Sequence, residues 1–175
     1  LEHLGEINAV YLYRYPQAVS DYEDLIRLYP GTDEAYQARA ALADMYHYKL
    51  GDWQRAIEQY QRLLTEFPQH RAGASTRIKL MMTYAQLRNY PQVRAEAETL
   101  KRMYPNSPEA EQAQHYIANS YAMEGDHANA IAMYEDILKQ PFLSAQQKSI
   151  ILFELGHCKQ EINQLDQALA YYQQA

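Results

Sequence analysis

Apolar and small residues recur along this chain in one pattern that is repeated five times. In the second copy the pattern runs from Leu42 and Ala43 through Ala56 and Tyr60 to the aromatic residue before Pro68. The first position of each copy recurs every 37 or 38 residues, at Leu4, Leu42, Leu80, Ile117 and Leu155. A period of this length predicts a single solenoid domain of stacked repeats, with boundaries at about 1–30, 31–68, 69–105, 106–142 and 143–175.

Each copy contains two segments whose apolar residues fall three and four positions apart. Ala56, Tyr60, Leu63 and Phe67 show this spacing, which places side chains on one face of an α-helix. Because an amphipathic helix buries that face against a neighbour, each copy predicts a pair of antiparallel helices. The predicted fold class is therefore all-α, an α-solenoid of antiparallel helix pairs with about five repeats.

The segments between the two helices of a copy carry residues that end helices. Gly51 and Gly125 follow the first helix of copies two and four, and glycine adopts the left-handed conformation that closes a helix at little steric cost. Asn163 is predicted to do the same in copy five. Copy three has Arg88 here, which predicts a less regular turn before Pro91 opens the next helix.

The second helix of each early copy is predicted to stop at an aromatic residue followed by proline, since the residue before a proline is pushed out of helical geometry. These pairs are Tyr29-Pro30, Phe67-Pro68 and Tyr104-Pro105. Good N-terminal caps follow in Thr32 and Ser107, and Ser144 with Gln147 predicts a capping box. The chain therefore turns back and restarts a helix after each pair.

Small residues are predicted at the points where the two helices of a copy cross, because a larger side chain there would force the helices apart. They are Ala43, Ala56, Ala118, Ala130, Gly156 and Ala168. Neighbouring tyrosines such as Tyr60 are predicted to fill the core, and truncating Tyr60 to alanine is expected to cost about 3–5 kcal/mol. Tyr11, Tyr36 and Tyr116 are expected to face solvent.

These positions resemble the signature of the tetratricopeptide repeat. That signature has an apolar residue followed by a small one, a tyrosine four positions after the first, and then Ala, Tyr and Pro at set offsets. Copy two matches it at Leu42, Ala43, Tyr46, Ala56 and Tyr60, and departures elsewhere are Asn8, Arg88, Ala97 and Lys159. The resemblance implies a right-handed superhelix that acts as a protein-interaction scaffold.

The period is longer than the roughly 34 residues common in this family. The surplus lies between the terminal proline of a copy and the next first helix, since 12 residues separate Pro30 from Leu42 and Pro68 from Leu80. Long copies of this kind resemble the bacterial cell-envelope branch of the family, the BamD- and CpoB-like proteins. This resemblance implies a periplasmic or outer-membrane-associated protein of an envelope complex, such as outer-membrane assembly, with a cytoplasmic location left open.

Charge and composition limit the classes of partner that are expected. The net charge is −6 and the basic residues are dispersed, so no basic stripe suited to phosphate is present and nucleic acid is not an expected partner. No apolar run approaches the roughly 20 residues that span a bilayer, and no signal peptide lies near Leu1. Because the chain begins within a predicted first helix and ends within a second one, a longer parent protein is expected.

No catalytic or metal-binding constellation is evident in the sequence. The six histidines form no HxxxH or HExxH spacing, and one cysteine makes a zinc ligand set improbable. Asp44 and His47 lie three positions apart on a predicted helix, where a solvated pair is the expected arrangement. Cys158 is expected to be a buried thiol. Neither an enzyme nor a cofactor is therefore predicted.

The resemblance places the partner-binding residues on the first helices, which line the concave face in this family. Carried over to this chain, they are Asp44, His47, Tyr48, Ile78, Met82, His115, Asn119, Met123, Phe153 and His157. A surface that is mostly uncharged and partly apolar suits a peptide or protein partner, held in extended or helical form. The alternative is that these residues contact further repeats or a folded-back helix.

Two further hypotheses concern how the chain interacts with other molecules. Self-assembly through exposed helix faces is a second hypothesis, suggested by 17 tyrosines, and a docking arm of a larger enzyme or secretion machine is a third. Acidic chaperone tails are not expected to bind. Only Asn119 and Lys79 match the known clamp for such tails, and Glu6 and Asp44 would repel a carboxylate.

Overall fold

The computed structural model describes residues 2–8, 14–141 and 143–175, and it contains only helices and their connections in those ranges. The helices are α1 (Glu2–Glu6), α2 (Tyr15–Leu28), α3 (Asp33–Met45), α4 (Trp53–Glu66), α5 (Gly73–Gln86), α6 (Tyr90–Met103), α7 (Pro108–Glu124), α8 (His127–Leu138), α9 (Ala145–Glu161) and α10 (Leu165–Gln174). One π-helical turn, Tyr46–Leu50, extends α3. The prediction of an all-α solenoid of helix pairs is confirmed.

The helices form two compact units, Leu1–Leu87 and Arg88–Ala175, called here the N-terminal and C-terminal units. In the N-terminal unit each helix from α1 to α5 packs against the next one along the chain. The same holds from α6 to α10 in the C-terminal unit. Packing of each helix on its sequence neighbours is the arrangement that defines stacked repeats.

The helix crossings are filled by the predicted pairs of small and aromatic residues. Ala43 and Ala56 are fully buried beside Tyr60, which is 1% exposed. In the last repeat a glycine takes the place of Ala43, and a Cβ atom added to Gly156 would lie 2.6 Å from the Tyr172 ring. The two helices there approach more closely than a methyl group allows.

Left-handed residues close the first helices as predicted. Gly51, Gly125 and Asn163 have φ angles of 63°, 89° and 60°. The expectation of a less regular turn at Arg88 is wrong, because Arg88 itself adopts φ 54°. The fold requires the left-handed conformation at this point even where the sequence supplies a residue that adopts it at a cost.

The predicted helix caps are present. The hydroxyl oxygens of Thr32 and Ser107 accept hydrogen bonds from the backbone amides three residues on, at 3.2 and 3.1 Å. Ser144 and Gln147 form the reciprocal capping box. Each cap satisfies an amide that would otherwise lack a partner at the start of its helix.

One expectation about surface tyrosines is wrong. Tyr36 is 5% exposed, its hydroxyl lies 3.0 Å from the Thr76 hydroxyl, and its ring stacks on His70 at 3.5 Å between ring centres. Tyr116 is half-buried, and Tyr11 lies outside the described residues. Tyr36 lies on the face of α3 that packs against Thr76 of α5, and the spacing of apolar residues in the sequence did not indicate this.

Candidate partner-binding surface

In the N-terminal unit, Asp44 joins three helices. Its carboxylate accepts a hydrogen bond of 2.6 Å from the Tyr60 hydroxyl of α4. The same carboxylate forms an ion pair with Lys79 of α5, with 2.6 Å between Nζ and Oδ2. Asp44 does not pair with His47, the pairing considered from the sequence. Since both its charge and its hydrogen-bonding capacity are engaged, Asp44 positions the helices and presents little free carboxylate to a partner.

His47 is also a link between first helices, in this case between the end of α3 and α5. It is 8% exposed, and its Nδ1 lies 2.8 Å from the Thr83 hydroxyl oxygen. Thr83 donates its own proton to the Lys79 carbonyl, so Nδ1 of His47 is the donor in this contact. Burial lowers the pKa of His47, and the charge of Lys79 lowers it further, against an opposing effect of Asp44. His47 is therefore a neutral structural contact.

The remaining predicted residues of this unit are accessible. Tyr48 is 54% exposed and Met82 is 37% exposed, while Ile78 is half-buried. The Tyr48 ring packs edge-on against His47, with 4.2 Å between ring centres. Tyr48 is thus an aromatic ring held by a buried neighbour and open to solvent on its other side, which suits a contact residue.

In the C-terminal unit, Asn119 takes the part that Asp44 plays in the other unit. Its carboxamide oxygen accepts a short hydrogen bond from the buried Tyr134 hydroxyl, and no hydrogen bond from its NH₂ group is found in the described part of the chain. His115 is half-buried, burial lowers its pKa, and its Nε2 has no partner among the described residues. These two residues are polar without being charged.

Large side chains are exposed on α7 and α9. Met123 is 68% exposed and Phe153 is 56% exposed, with the Phe153 ring 5.5 Å from that of Tyr172. His157, one turn beyond Phe153, is about half exposed and lies 3.9 Å from Glu161. Ile150, Phe153 and His157 are three and four positions apart, so they share one face of α9.

A cavity of about 590 Å³ lies between the N-terminal halves of α7 and α9 and the connection from α8 to α9. It brings the predicted His115 together with Ile150, and Ile137, Leu143 and Ile151 supply further apolar surface. Its polar lining includes Glu111 of α7 and several glutamines. The equivalent corner between α3 and α5 in the N-terminal unit encloses about 350 Å³.

Two family models, both described as Tetratricopeptide repeat, match this chain at residues 7–71 and 112–141. Together they cover more than half of its length. The chain belongs to the tetratricopeptide repeat family. The matched ranges contain α3 and most of α7, two of the first helices described above.

Solved structures share the fold at low identity. Nearly identical TPR-like repeats of a kinesin light chain-like protein from Podosopora anserina are 16% identical, with a TM-score of 0.71 and coverage of 99% of this chain and 90% of that one. MamA of strain AMB-1 is 17% identical, with a TM-score of 0.63 and coverage of 98% and 93%. A tetratricopeptide repeat protein from Parabacteroides merdae is 17% identical, with a TM-score of 0.68 and coverage of 97% and 60%. No curated protein sequence matches the chain.

The cavity is the feature of these tetratricopeptide repeats that the sequence analysis missed. A signal for it was present, because an aromatic residue precedes proline in copies one to three, whereas copy four has Pro141 followed by Phe142. The inverted order puts proline at the sequence position of the repeat that an aromatic residue holds in the earlier copies. Residue 142 itself lies outside the described residues.

No group of three His, Cys, Asp or Glu side chains within the described residues is placed to hold a metal ion. Nor is any helix in the same part of the chain both long enough and apolar enough to cross a membrane. Cys158 is fully buried, and burial raises the pKa of its thiol to about 11, so the thiolate that a nucleophile requires is disfavoured.

Proposed function

We propose that this tetratricopeptide repeat chain is a non-catalytic scaffold that binds a partner polypeptide against its first helices. The observation that carries this proposal is the exposure of Tyr48, Met82, Met123 and Phe153, all large side chains at positions predicted for partner contact. Large apolar side chains are held in solvent at an energetic cost, and clusters of them mark interaction surfaces. The partner is a peptide or protein segment with apolar side chains of its own.

The polar residues of the same helices support this proposal, because they hold the helices together and leave the exposed apolar residues to contact a partner. Asp44 and His47 are occupied by contacts within the N-terminal unit, so they hold neighbouring first helices in place. The exposed residues beside them are then presented on rigid helices rather than on loops. A preordered surface of this kind loses little side-chain freedom when a partner binds.

Capture of partners from bacterial envelope extract tests this function. One variant carries Tyr48→Ala, Met82→Ala and Phe153→Ala. A matched control carries alanine at Leu28, Met103 and Leu169, which are similarly exposed but lie on second helices. A prey protein that is lost only with the first variant supports the proposal. Equal recovery with both variants would show that the first helices are not the binding surface.

The proposed location is the bacterial periplasm or the outer membrane, where the scaffold would serve an envelope complex. The long 37- or 38-residue period motivates it through the resemblance to the envelope branch of the family. Fractionation of the native protein tests this location directly. Recovery with cytoplasmic markers alone would reject it without affecting the proposed binding surface.

A further inference from the structure

The two units contain the same corner, and they fill it differently. In the N-terminal unit, Tyr36 of α3 and Phe67 at the end of α4 pack edge to face, with 5.4 Å between ring centres. His70 adds a third ring, stacked on Tyr36. The protein thus fills part of this corner with aromatic side chains of its own and leaves about 350 Å³ beside them.

Alignment of the repeats shows what replaces these rings in the C-terminal unit. Counted from the first-helix positions Leu42 and Ile117, Glu111 takes the place of Tyr36. Counted from the second-helix tyrosines Tyr60 and Tyr134, Pro141 takes the place of Phe67. Glu111 and Pro141 both line the 590 Å³ cavity, so the two positions that hold an aromatic pair in one unit border a cavity in the other.

The opposite wall of the cavity also differs from the corresponding wall in the N-terminal unit. Ser75 and Thr76 line the corner of the N-terminal unit, where the Thr76 hydroxyl bonds to Tyr36. Ile150 and Ile151 hold the corresponding positions on α9. The C-terminal corner therefore has no aromatic residue at these two positions and has aliphatic walls at Ile150 and Ile151, a combination that favours a bulky apolar group from outside.

The charge that lines the cavity indicates what kind of residue would lie next to the apolar group. Glu111 is the one charged side chain that lines it, and Glu111 forms no ion pair among the described residues. The neighbouring amides of Gln112 and Gln146 have no hydrogen bond within the described part of the chain, so they are available to a peptide backbone. An unpaired carboxylate at the rim favours a cationic neighbour for the apolar group.

We infer that this cavity binds an aromatic side chain of the partner polypeptide, with a lysine or arginine next to it in the partner sequence. The inference rests on the proposed scaffold function and names the chemistry of its ligand. The ring packs between Ile137, Ile150 and Ile151, where the other unit places its own aromatic residues. The adjacent cation pairs with Glu111.

The direct test uses short peptides and the whole chain. An acetylated, amidated hexapeptide Gly-Gly-Phe-Lys-Gly-Gly is titrated while the side-chain amide signals of Gln112 and Gln146 are followed by NMR. Replacing Phe by Ala is expected to weaken binding about ten- to hundredfold, the factor that corresponds to burying one aromatic side chain. Replacing Lys by Glu is expected to weaken it about tenfold at low salt. No response of these amides to the Phe-Lys peptide overturns the inference.

Two variants identify the cavity as the site. Glu111→Gln keeps the shape and removes the charge, so it should bind the Phe-Lys and Phe-Glu peptides equally. Glu111→Phe with Pro141→Phe places an aromatic pair at the positions that Tyr36 and Phe67 hold in the N-terminal corner, without a hydroxyl that would face Ile151, so it should lose peptide binding while the melting temperature rises. A rise in melting temperature separates filling of the cavity from misfolding. Undiminished peptide binding by the double variant overturns the inference.

A rival occupant is the chain's own Phe142, which adjoins Pro141 in sequence. If Phe142→Ala binds the Phe-Lys peptide and the unaltered chain does not, the cavity is filled from within and the inference is wrong. Failure here is distinguishable from failure of the scaffold function. A prey lost by the Tyr48, Met82 and Phe153 variant but retained by the Glu111, Pro141 variant would preserve the scaffold and reject the cavity.

Discussion

Because α9 and α10 approach closely at Gly156, we predict that Gly156→Ala lowers stability when Tyr172 is present and raises it when Tyr172 is replaced by alanine. Alanine at this position adds a methyl group whose carbon would lie 2.6 and 2.7 Å from two carbons of the Tyr172 ring. Ordinary carbon contacts are about 3.5–4.0 Å, so the ring or the helix must shift by about 1 Å. Such overpacking typically costs about 1–3 kcal/mol.

A second effect acts in the opposite direction. Gly156 lies inside a helix, where alanine is favoured over glycine by about 1 kcal/mol. Gly156→Ala should therefore reduce the free energy of unfolding by about 1 kcal/mol, the difference between the two effects. In a Tyr172→Ala background the obstacle is gone, so the same substitution should increase stability by about 1 kcal/mol. The coupling between the two sites is then about 2 kcal/mol.

Urea unfolding followed by circular dichroism measures the four proteins of this cycle. Tyr171→Ala supplies the matched control, because Tyr171 is the adjacent half-buried tyrosine of α10 and should leave Gly156→Ala destabilising. Stabilisation by Gly156→Ala in both backgrounds would show that α10 moves aside freely. Destabilisation in both would show that another group limits the space.

Four further predictions concern single residues. Arg88→Gly should stabilise the chain by about 0.5–1 kcal/mol in urea unfolding because it relieves the left-handed backbone, whereas Arg88→Ala should not. Tyr60→Phe should cost about 1.5–3 kcal/mol through loss of its hydrogen bond to Asp44, as measured by the same assay. The depressed pKa of His47 means that the unfolded chain binds the proton first, so stability should fall as pH drops below 6.5, and His47→Gln should reduce that fall. Cys158 should react with a thiol reagent in urea but not in native buffer.

Helix pairs, caps and small crossing residues were predictable because their causes lie within one repeat. Ser144 and Gln147 are three positions apart, and Ala56 and Tyr60 are four apart, so helix geometry alone relates them. The left-handed Arg88 was missed for a related reason. Arg88 has a φ angle of 54° although arginine does not favour the left-handed conformation, so residue preference at a single position was a weak guide here.

The polar links between first helices could not be predicted in the same way. His47 and Thr83 are 36 positions apart, and Lys79 reaches Asp44 across 35. Which side chains meet across such an interval depends on how neighbouring repeats are rotated, and the period does not specify that rotation. For this reason His47, which was predicted to contact a partner, is buried and forms a contact within the protein instead.

Two classes of position emerge from the comparison of repeats. The helix crossing is enclosed on both sides, so it keeps a small residue against a tyrosine, as in Ala43 with Tyr60 and Ala118 with Tyr134. The corner next to Tyr36 in one unit and Glu111 in the other contains free space, about 350 and 590 Å³, so a change of side-chain volume there does not force helices apart. Residues at the corner can therefore vary while the crossing preserves the fold. For that reason we expect partner specificity to be altered by substitutions at the corner, and stability by substitutions at the crossing.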